Sequence, residues 1–440
     1  MLEPLYTADE MRAAEAGHDV EAMMERAGRA VADCVLARFP DARRIGVVCG
    51  GGANGGDGRI AARILAEQGR DAAETTDPAG ADVVVDALLG TGLREAPRAE
   101  AVALIEAING AGAPVVSVDV PSGVNASTGE VPGSAVRAGL TVTMHGPKVG
   151  LHVAPGRFHA GEVVAVDIGL EPAGTGHRLV TRDILGLVPR KRPEDTKYTA
   201  GAVLVVGGSP GMTGAVCLTA EAAFRADAGY VTVAAPPEVL PVVETRLLEA
   251  VKRPLDEVWE AAKRARAFAV GPGLGRGPEQ QALVRRLLAE VDLPAVVDAD
   301  ALFDLEPLER EAPTVLTPHS GELGRLLGEE SSWVDEHRLE ALRRAVERFR
   351  CIVLLKGADT LVGAPGAEPL VRKLNSPALA TAGTGDVLTG IIAAFLAKGM
   401  DARLAAAAGA VAQAVAASLV PEQAGLVASD VIGALPRALA

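Results

Sequence analysis

Residues 45–69 read IGVVCGGGANGGDGRIAARILAEQG, and this stretch decides the fold. The apolar run at 45–49 predicts a buried strand, and the segment 59–69 predicts a helix. The loop between them, 50–58, holds six glycines and contains a formal GxGxxG motif. A strand, a glycine loop and a helix in this order are typical of a parallel α/β sheet, in which the helix N-terminus can bind a phosphate group. A flexible turn is the alternative.

The same alternation of short apolar runs and helical stretches continues along both halves of the chain. Each apolar run is continuous, which is expected when helices cover both faces of a parallel sheet. The other predicted strands are 82–86, 114–118, 140–144, 163–167, 202–206, 230–235, 267–270, 295–297, 314–316 and 352–355. The other predicted helices are 7–38, with Thr7 or Asp9 as N-cap, 99–109, 215–228 and a helical region from 386 onward. The predicted fold class is α/β.

The segment that starts at residue 169 interrupts this alternation. It reads GLEPAGTGHRLV and then, from residue 188, VPRKRPED, a Pro/Gly-rich and then basic composition typical of a domain boundary. A chain of 440 residues is also expected to form two or three domains, at about 150 residues each. We place the boundary near residue 176, which predicts domains 1–175 and 176–440.

Composition excludes several classes of protein. The net charge of −14 argues against a general binder of the phosphate backbone, so no nucleic-acid partner is expected. No apolar run approaches the roughly 20 residues of a membrane span, and the acidic N-terminus MLEPLYTADEMR is unlike a secretory signal. The four cysteines lie far apart without a CxxC pair, so neither disulfides nor a zinc site is predicted. We expect a cytoplasmic protein.

Oxygen-bearing side chains follow several strands of the first half. Asn54 and Asp57 lie in the glycine loop, Asp86 ends one predicted strand, and Asp119 and Ser122 follow the next. The carboxyl ends of parallel strands share one edge of a sheet, where ligands bind. Asp57 would repel a phosphate unless a cation or sugar hydroxyls intervene. Taken singly, each residue also fits a helix cap or turn; together they favour a site.

The second half has its clearest motif late in the chain. Gly383-Thr384-Gly385-Asp386 directly precedes the apolar helix VLTGIIAAFLA. Backbone N–H groups at such a helix start can bind an anion, and Asp386 can accept a proton from an attacking hydroxyl. The alternative is an ordinary aspartate in the first turn of a helix. Four segments at predicted strand ends support a site: GPGLG at 271–275, DADAL at 298–302, TPHSGE at 317–322 and LKGADT at 355–360.

The first half resembles the NAD(P)H-hydrate epimerase domain over about residues 5–170. The resemblance rests on the GxNGGDG loop, DALLGTGL, DVPSGVN and PKVG, with Ala53 replacing the first Asn of the usual GNNGGDG. It implies a Rossmann-like three-layer αβα sandwich, with Asp119 transferring a proton or orienting a sugar and Lys148 neutralising a phosphate. The implied potassium ligands are Asn54, Asp86 and Ser122. The implied hydrate-binding residues are Ala53, Asn54, Gly55, Gly56, Asp57, Gly90, Thr91, Gly92, Leu93, Arg94, Glu95, Ala96 and Asp119.

The second half resembles the ribokinase-like superfamily, and within it the ADP-dependent NAD(P)H-hydrate dehydratase branch, over about residues 182–438. The motifs are the four strand-end segments and GTGDVLTG; Thr196-Lys197-Tyr198 departs from the usual His-Lys-Gly. The resemblance implies a ribokinase-like αβα domain with Asp386 as catalytic base and Glu322 helping to organise Mg²⁺. The implied hydrate-binding residues are Ala215, Gly273, His319 and Asp386. The implied nucleotide-binding residues are Lys356, Gly357, Ala358, Asp359, Thr360 and Gly385.

Together the two resemblances imply a bifunctional repair enzyme. It would interconvert the two epimers of hydrated NAD(P)H and dehydrate one of them with ADP, using K⁺ in the first domain and Mg²⁺ with ADP in the second. The expected partners are these small molecules, with assembly as a homo-oligomer and no membrane contact. One alternative is a ribokinase-like small-molecule kinase fused to a non-catalytic nucleotide-binding or scaffold domain. A purely non-enzymatic scaffold is another.

Overall fold

The computed structural model describes residues 2–373 and 376–440. Within them the chain forms two compact units. The first unit consists of Pro4–Arg178 together with Asp335–Arg338. The second unit consists of the N-terminal residues up to Glu3, Leu179–Val334 and Leu339–Ala440.

The described residues contain both strands and helices along their whole length. The strands are β1 (Leu2–Pro4), β2 (Arg44–Cys49), β3 (Asp71–Glu74), β4 (Val83–Ala87), β5 (Val115–Val118), β6 (Leu140–Met144), β7 (Glu162–Val166), β8 (Arg178–Val180), β9 (Ala202–Val206), β10 (Tyr230–Ala235), β11 (Val251–Pro254), β12 (Ala267–Val270), β13 (Ala295–Val297), β14 (Thr314–Leu316), β15 (Ile352–Leu355), β16 (Leu361–Ala364) and β17 (Ala367–Arg372). The α-helices are α1 (Ala8–Glu15), α2 (Val20–Arg38), α3 (Ala53–Glu67), α4 (Ala99–Gly110), α5 (Arg157–Ala160), α6 (Thr213–Arg225), α7 (Leu240–Arg246), α8 (Val258–Ala262), α9 (Pro278–Glu290), α10 (Ser320–Leu327), α11 (Ser331–Glu336), α12 (Arg338–Phe349), α13 (Thr384–Ala397), α14 (Ala402–Ser418) and α15 (Ala428–Leu439). Every strand predicted from the sequence is confirmed to within one residue at each end.

The first unit is built on a parallel sheet of six strands in the order β3-β2-β4-β5-β6-β7. Successive residues of β2 point to opposite faces: Val47 packs into a cluster with α2 and α3, and Val48 packs into a cluster with α4. Both faces are therefore covered by helices, as the continuous apolar runs predict. The carboxyl ends of all six strands lie at one edge.

Two helix predictions for this unit were wrong in detail. The single helix expected at 7–38 is divided into α1 and α2, and Gly17 has a φ of 86° between them. Helix α3 begins at Ala53, well before the expected residue 59, so the second half of the glycine loop is helical. Glycine is needed there because a Cβ at Gly55 would overlap the carbonyl oxygen of Gly50. Thr7 is confirmed as the N-cap of α1, where it forms a capping box with Glu10.

The second unit is built on a sheet of eleven strands in the order β1-β8-β17-β16-β15-β14-β13-β12-β9-β10-β11. The seven strands from β15 to β11 are parallel, and β16 and β17 form an antiparallel hairpin at one side. Helices α13 and α14 are almost entirely buried and pack with α6 and α15 into the largest apolar cluster. The four strand-end motifs of the second half thus lie side by side at β12, β13, β14 and β15.

No helix among residues 2–373 and 376–440 is long and apolar enough to cross a membrane.

Candidate active sites

The predicted potassium ligands Asn54, Asp86 and Ser122 are connected through the backbone of Leu89 and the side chain of Ser122. The Asn54 amide nitrogen donates to Leu89 O at 3.0 Å, and the Leu89 amide donates to Ser122 Oγ at 2.8 Å. Ser122 in turn donates from its backbone amide and its hydroxyl to the Asp86 carboxylate at 2.9 and 2.5 Å. Three elements, α3, β4 and the loop after β5, therefore converge on one set of oxygen atoms.

Asp86 lies inside β4 and has no solvent exposure. Its carboxylate accepts hydrogen bonds from Ser117 and Ser122 and from the Leu88 amide, and within the described residues it makes no ion pair. Burial raises its pKa, and these hydrogen bonds oppose the rise. An uncompensated buried carboxylate beside amide, hydroxyl and carbonyl oxygens fits a hard monovalent cation, which prefers all-oxygen ligands.

A cavity of about 570 Å³ opens beside this cluster at the carboxyl edge of the sheet. Of the predicted hydrate-binding residues, those that line it are Ala53, Asn54, Asp57, Gly90, Thr91, Gly92, Leu93 and Asp119. Arg94, Glu95 and Ala96 instead line a cavity of about 530 Å³, which shares five lining residues with the first, including Gly51 and Leu88. Gly55 and Gly56 line neither cavity; Gly55 packs on the backbone of Gly50.

Asp119 is held in a fixed position on the cavity wall. Its backbone is left-handed, with a φ of 66°, and its Oδ1 accepts hydrogen bonds from Thr143 Oγ1, the Met144 amide and Lys148 Nζ. The other oxygen, Oδ2, accepts none from the described residues. The expectation that Lys148 neutralises a substrate phosphate was wrong: its side chain is 1% exposed, and Nζ binds Asp119, Thr143 and the Met144 carbonyl.

Two further carboxyl groups line this cavity, and sequence analysis missed one of them. Burial, and then the charges of Asp119 and Glu15, raise the pKa of Asp57 to about 7. Burial, and then the charge of Asp119, also raises the pKa of Glu15, at the end of α1. No motif marks Glu15, since it lies far from the glycine loop in sequence and ends an otherwise ordinary amphipathic helix.

The second unit brings together the predicted strand-end segments. The loop after β12 contacts α6, because a Cβ at Gly273 would come within 3.2 Å of the Ala215 Cβ. It also contacts the loop after β13, where Asp300 accepts hydrogen bonds from the Gly275 amide and from Arg276 Nε at 2.9 and 2.7 Å. Ala215 and Gly273 are thus neighbours, as two residues that bind one ligand must be.

Asp298, at the end of β13, connects several of these segments and was given no role by the sequence. Its side chain is buried, and its carboxylate binds Lys356 Nζ at 2.9 Å and Thr389 Oγ1 of α13 at 2.7 Å. Burial lowers the pKa of Lys356, but the charges of Asp298 and Glu322 outweigh it and the net pKa is raised. The signal available in the sequence was an aspartate that directly follows a buried parallel strand.

His319 and Glu322 form a reciprocal cap at the start of α10. His319 Nδ1 accepts from the amides of Gly321 and Glu322, and Glu322 Oε2 accepts from the His319 amide at 2.9 Å. The same carboxylate lies 3.7 Å from Lys356 Nζ. The His319 side chain is 59% exposed, so its outer ring edge is accessible to a ligand.

Asp386 lies in the first turn of α13, whose start has no side-chain cap because the N-cap residue is Gly383. Burial, and then the charge of Asp298, raise the pKa of Asp386 to about 7, although Lys356 opposes the rise. Gly385 lies beside Lys356, since a Cβ there would come within 3.4 Å of Nζ. An uncapped helix start, a lysine and a carboxyl with a pKa near neutrality suit the transfer of a phosphoryl group to a hydroxyl.

The predicted nucleotide-binding loop, 356–360, connects β15 to β16. Lys356 is half-buried and Gly357 is exposed, whereas the side chains of Asp359 and Thr360 are buried, at 0% and 4% exposure. Arg372 Nη2 and Thr360 Oγ1 both donate to the carbonyl of Gly357 and fix the loop. Lys197, the residue in the departing Thr-Lys-Tyr segment, lies over the rings of Tyr198 and Tyr230.

Comparison with known proteins assigns the chain to a family. A model described as NAD(P)H-hydrate dehydratase matches residues 203–437, and one described as YjeF-related protein N-terminus matches 20–75 and 69–150. The bifunctional NAD(P)H-hydrate repair enzyme Nnr of Salinibacter ruber is 36% identical to it, over 99% of this chain and 96% of the relative. The enzyme of the same name from Coxiella burnetii is 37% identical, over 96% of this chain and 95% of the relative. The chain belongs to this family of bifunctional repair enzymes. It is therefore an enzyme with an epimerase domain and a dehydratase domain.

Solved structures support the fold predicted for the second unit. An ADP/ATP-dependent NAD(P)H-hydrate dehydratase from Bacillus subtilis, co-crystallised with ATP/Mg²⁺, is 29% identical with a TM-score of 0.55 and covers 59% of this chain and 96% of that one. A ribokinase-like superfamily protein from Enterococcus faecalis is 26% identical with a TM-score of 0.54, over 61% and 97% of the two chains. The ribokinase-like fold expected for the second half is confirmed.

Proposed function

We propose that this repair enzyme interconverts the R and S epimers of hydrated NADH and NADPH, and dehydrates the S epimer with ADP to give NAD(P)H, AMP and phosphate. The observation that carries the proposal is that each unit brings its predicted site residues together at the carboxyl edge of its own parallel sheet: Asn54 and Ser122 meet at Leu89 in the first unit, and Lys356 binds the residue that directly follows β13 in the second. We assign epimerisation to domain 1–175 and dehydration to domain 176–440. The enzyme acts in the cytoplasm as a homo-oligomer.

In the epimerase domain, the hydrate occupies the 570 Å³ cavity and the rest of the coenzyme extends along the loop 90–96. Asp119 offers its unbonded Oδ2 to the hydroxyl at C6 of the nicotinamide ring. Asn54, Asp86 and Ser122 would hold K⁺, which would supply a fixed positive charge when bound. The buried Asp86, which makes no ion pair within the described residues, supports these three ligands.

In the dehydratase domain, the difficulty is that hydroxide is a poor leaving group near pH 7. Asp386 accepts the proton of the C6 hydroxyl, whose oxygen attacks the β-phosphorus of ADP; the bond to the bridging oxygen breaks and AMP leaves. Phosphate then departs from C6 with the C–O electron pair, the ring nitrogen supplies electrons, and loss of a proton from C5 restores the dihydropyridine. Ala215, Gly273 and His319 hold the hydrate so that its hydroxyl lies against Asp386.

The nucleotide is held by the loop after β15 and by the start of α13. Lys356 supplies positive charge, Gly357, Ala358, Asp359 and Thr360 form the binding loop, and Gly385 allows close approach at the helix start. The neighbour from Bacillus subtilis was crystallised with ATP/Mg²⁺, which supports the use of nucleotide and magnesium by this domain. Glu322 helps to hold Mg²⁺, which neutralises phosphate charge when bound.

Two activities in one chain follow from the chemistry of the substrate. Hydration produces both epimers, and one asymmetric site accepts only one of them, so an epimerase makes the remaining hydrate available for dehydration. A kinase with an idle first domain would leave unexplained the oxygen cluster around Leu89 and the carboxyl-lined cavity. Neither the kinase nor the scaffold alternative is favoured by the family assignment.

The direct test of this function is to incubate the purified chain with both hydrate epimers, ADP, Mg²⁺ and K⁺ and to follow dihydronicotinamide absorbance and AMP. We expect complete conversion of both epimers with one AMP formed per coenzyme restored. A stable phosphorylated product would indicate a kinase, and no turnover would indicate a binding protein; either result contradicts the proposal.

Removing the carboxylate of Asp86 tests the potassium site. In Asp86→Ala, the K⁺ concentration for half-maximal epimerisation should rise by at least roughly tenfold, because the site loses its charged ligand. Dehydration of the pure S epimer should be unchanged, since Asp86 belongs to the first unit. Asp71→Ala, an exposed change on the edge strand β3 of the same sheet, is the matched control. Epimerisation by Asp86→Ala with the wild-type response to K⁺ would contradict the assignment.

A further inference from the structure

Three carboxyl groups line the cavity of the first unit: Glu15, Asp57 and Asp119. In the described residues only Asp119 has a cation in contact with it, the buried Lys148. The negative charge of Asp119 is therefore compensated inside the protein. Ionised Asp57 would face the negative charges of Asp119 and Glu15, whereas the positive charges of Lys148 and Arg12 act on Glu15.

Asp57 is the most confined of the three. Its residue exposure is 8%, and its Oδ1 is buried without a hydrogen-bond partner among the described residues. The charged groups that face it are Asp119, from the loop after β5, and Glu15, from α1; both are acidic. A buried carboxyl with acidic neighbours keeps its proton far more readily than one in water, and its pKa is raised to about 7.

Asp119 has the opposite environment. Thr143, the Met144 amide and Lys148 all donate to Oδ1, which fixes the carboxylate and leaves Oδ2 without a donor. The buried ammonium of Lys148 has Asp119 as its ion-pair partner, so it acts as a positioning residue for that carboxylate. Two carboxyls in different environments that line one cavity are the arrangement that enzymes use to separate an acid from a base.

We propose that Asp57 is the proton donor and Asp119 the proton acceptor in epimerisation, acting as an acid–base pair on the bound hydrate. The inference rests on the proposed epimerase function and names the groups that perform it. Asp57, assigned above only to ligand binding, becomes a catalytic residue.

The pair accounts for inversion at C6 by opening and closing the ring. Asp119 Oδ2 accepts the hydroxyl proton, the oxygen forms a C=O double bond, and the C6–N1 bond breaks with its electron pair moving to N1. Asp57 gives N1 its proton. The product is one ring-opened molecule that carries an aldehyde at C6 and a neutral amine at N1. After half a turn about the C5–C6 bond, N1 attacks the other face of the carbonyl. Asp57 then takes back its proton and Asp119 returns one to the oxygen, which restores the enzyme.

The test uses Asp57→Asn in the full chain, with exchange between separated epimers measured without ADP. We expect the rate to fall by about 100-fold or more, because the amide cannot donate a proton to N1. The wild-type rate should decrease as pH rises through about 7, where Asp57 loses its proton, and the residual rate of Asp57→Asn should lack this decrease. Asp57→Glu should restore part of the rate. Glu67→Gln, an exposed change on the same helix, should behave as wild type.

Folding of the variant is checked by thermal unfolding at pH 8. A carboxyl whose pKa is raised in the folded state contributes stability at low pH, and this stability is lost as pH rises through the folded-state pKa. For Asp57 the loss extends over the pH range from about 4 to about 7. Asp57→Asn has no carboxyl to ionise at this position and does not undergo this loss. At pH 8 it should therefore unfold at a temperature no lower than that of the wild type.

Three results would overturn the inference. If the wild type does not exchange epimers at all, the proposed epimerase function itself fails. If the wild type exchanges them and folded Asp57→Asn does so within about twofold of its rate, the function stands and the donor is another group. If Glu15→Gln removes the decrease above pH 7 while Asp57→Asn keeps it, Glu15 is the donor.

Discussion

Asp386→Asn is expected to slow dehydration of the S epimer by about 10²- to 10⁴-fold, the contribution typical of a positioned general base. Asparagine fills nearly the same volume in the first turn of α13 but cannot accept the hydroxyl proton. Because the pKa of Asp386 is raised to about 7, dehydration by the wild type should also fall as pH decreases below about 7. The measurement is single-turnover formation of dihydronicotinamide across pH 5.5 to 8.5.

Two controls separate this effect from a loss of structure. Epimer exchange by Asp386→Asn should proceed at the wild-type rate, because Asp386 belongs to the second unit. At pH 8 the variant should be no less stable than the wild type, since ionisation of a carboxyl with a raised folded-state pKa opposes folding. Equal loss of both activities in Asp386→Asn would contradict two independent sites.

Asp298→Asn is expected to have the second largest effect on dehydration, although the residue need not touch the substrate. The change weakens the ion pair with Lys356 and the hydrogen bond from Thr389, and it removes the negative charge that contributes most to the raised pKa of Asp386. Two consequences follow. The rate of dehydration should fall by about 100-fold, as when one charge-stabilising group is lost. The pH below which the rate decreases should be lower than in the wild type by about one pH unit.

The pH profile distinguishes this role from simple destabilisation, because a merely structural defect lowers the rate without moving the profile. Asp304→Asn, further along the loop after β13, is the matched control and should leave both rate and profile unchanged. Asp298→Asn with a reduced rate but an unmoved profile would show that Asp298 does not influence Asp386.

Sequence patterns identified the parallel core of both units because buried parallel strands are continuously apolar, as 202–206 and 267–270 are. Strands that lack a continuous apolar run were missed for the same reason. β3 carries Asp71 and Glu74, and β17 begins with Ala367 and Glu368, both exposed, so neither looks like a buried run. The start of α3 was missed because glycines disfavour helix, whereas here close packing against Gly50 and Ala87 requires them.

Some site residues could be predicted from sequence motifs, and others only from the folded structure. Motifs placed Asn54, Asp86 and Ser122 at neighbouring strand ends, and the structure connects them through the Leu89 backbone and the Ser122 side chain. Sequence could not show that Lys148 turns inward to Asp119, because a lysine is usually exposed. It could not assign Asp298 a role either, since only the folded structure brings Lys356 and Thr389 to it from distant parts of the chain.

The most direct test of the central claim, two sites that act in turn on one damaged coenzyme, is the end point of dehydration in Asp119→Asn. With a known mixture of epimers and excess ADP, the wild type should restore all of the coenzyme. The variant should restore the S fraction at the wild-type rate and then stop, leaving the R epimer in solution. Complete conversion by Asp119→Asn at the wild-type rate would contradict the account.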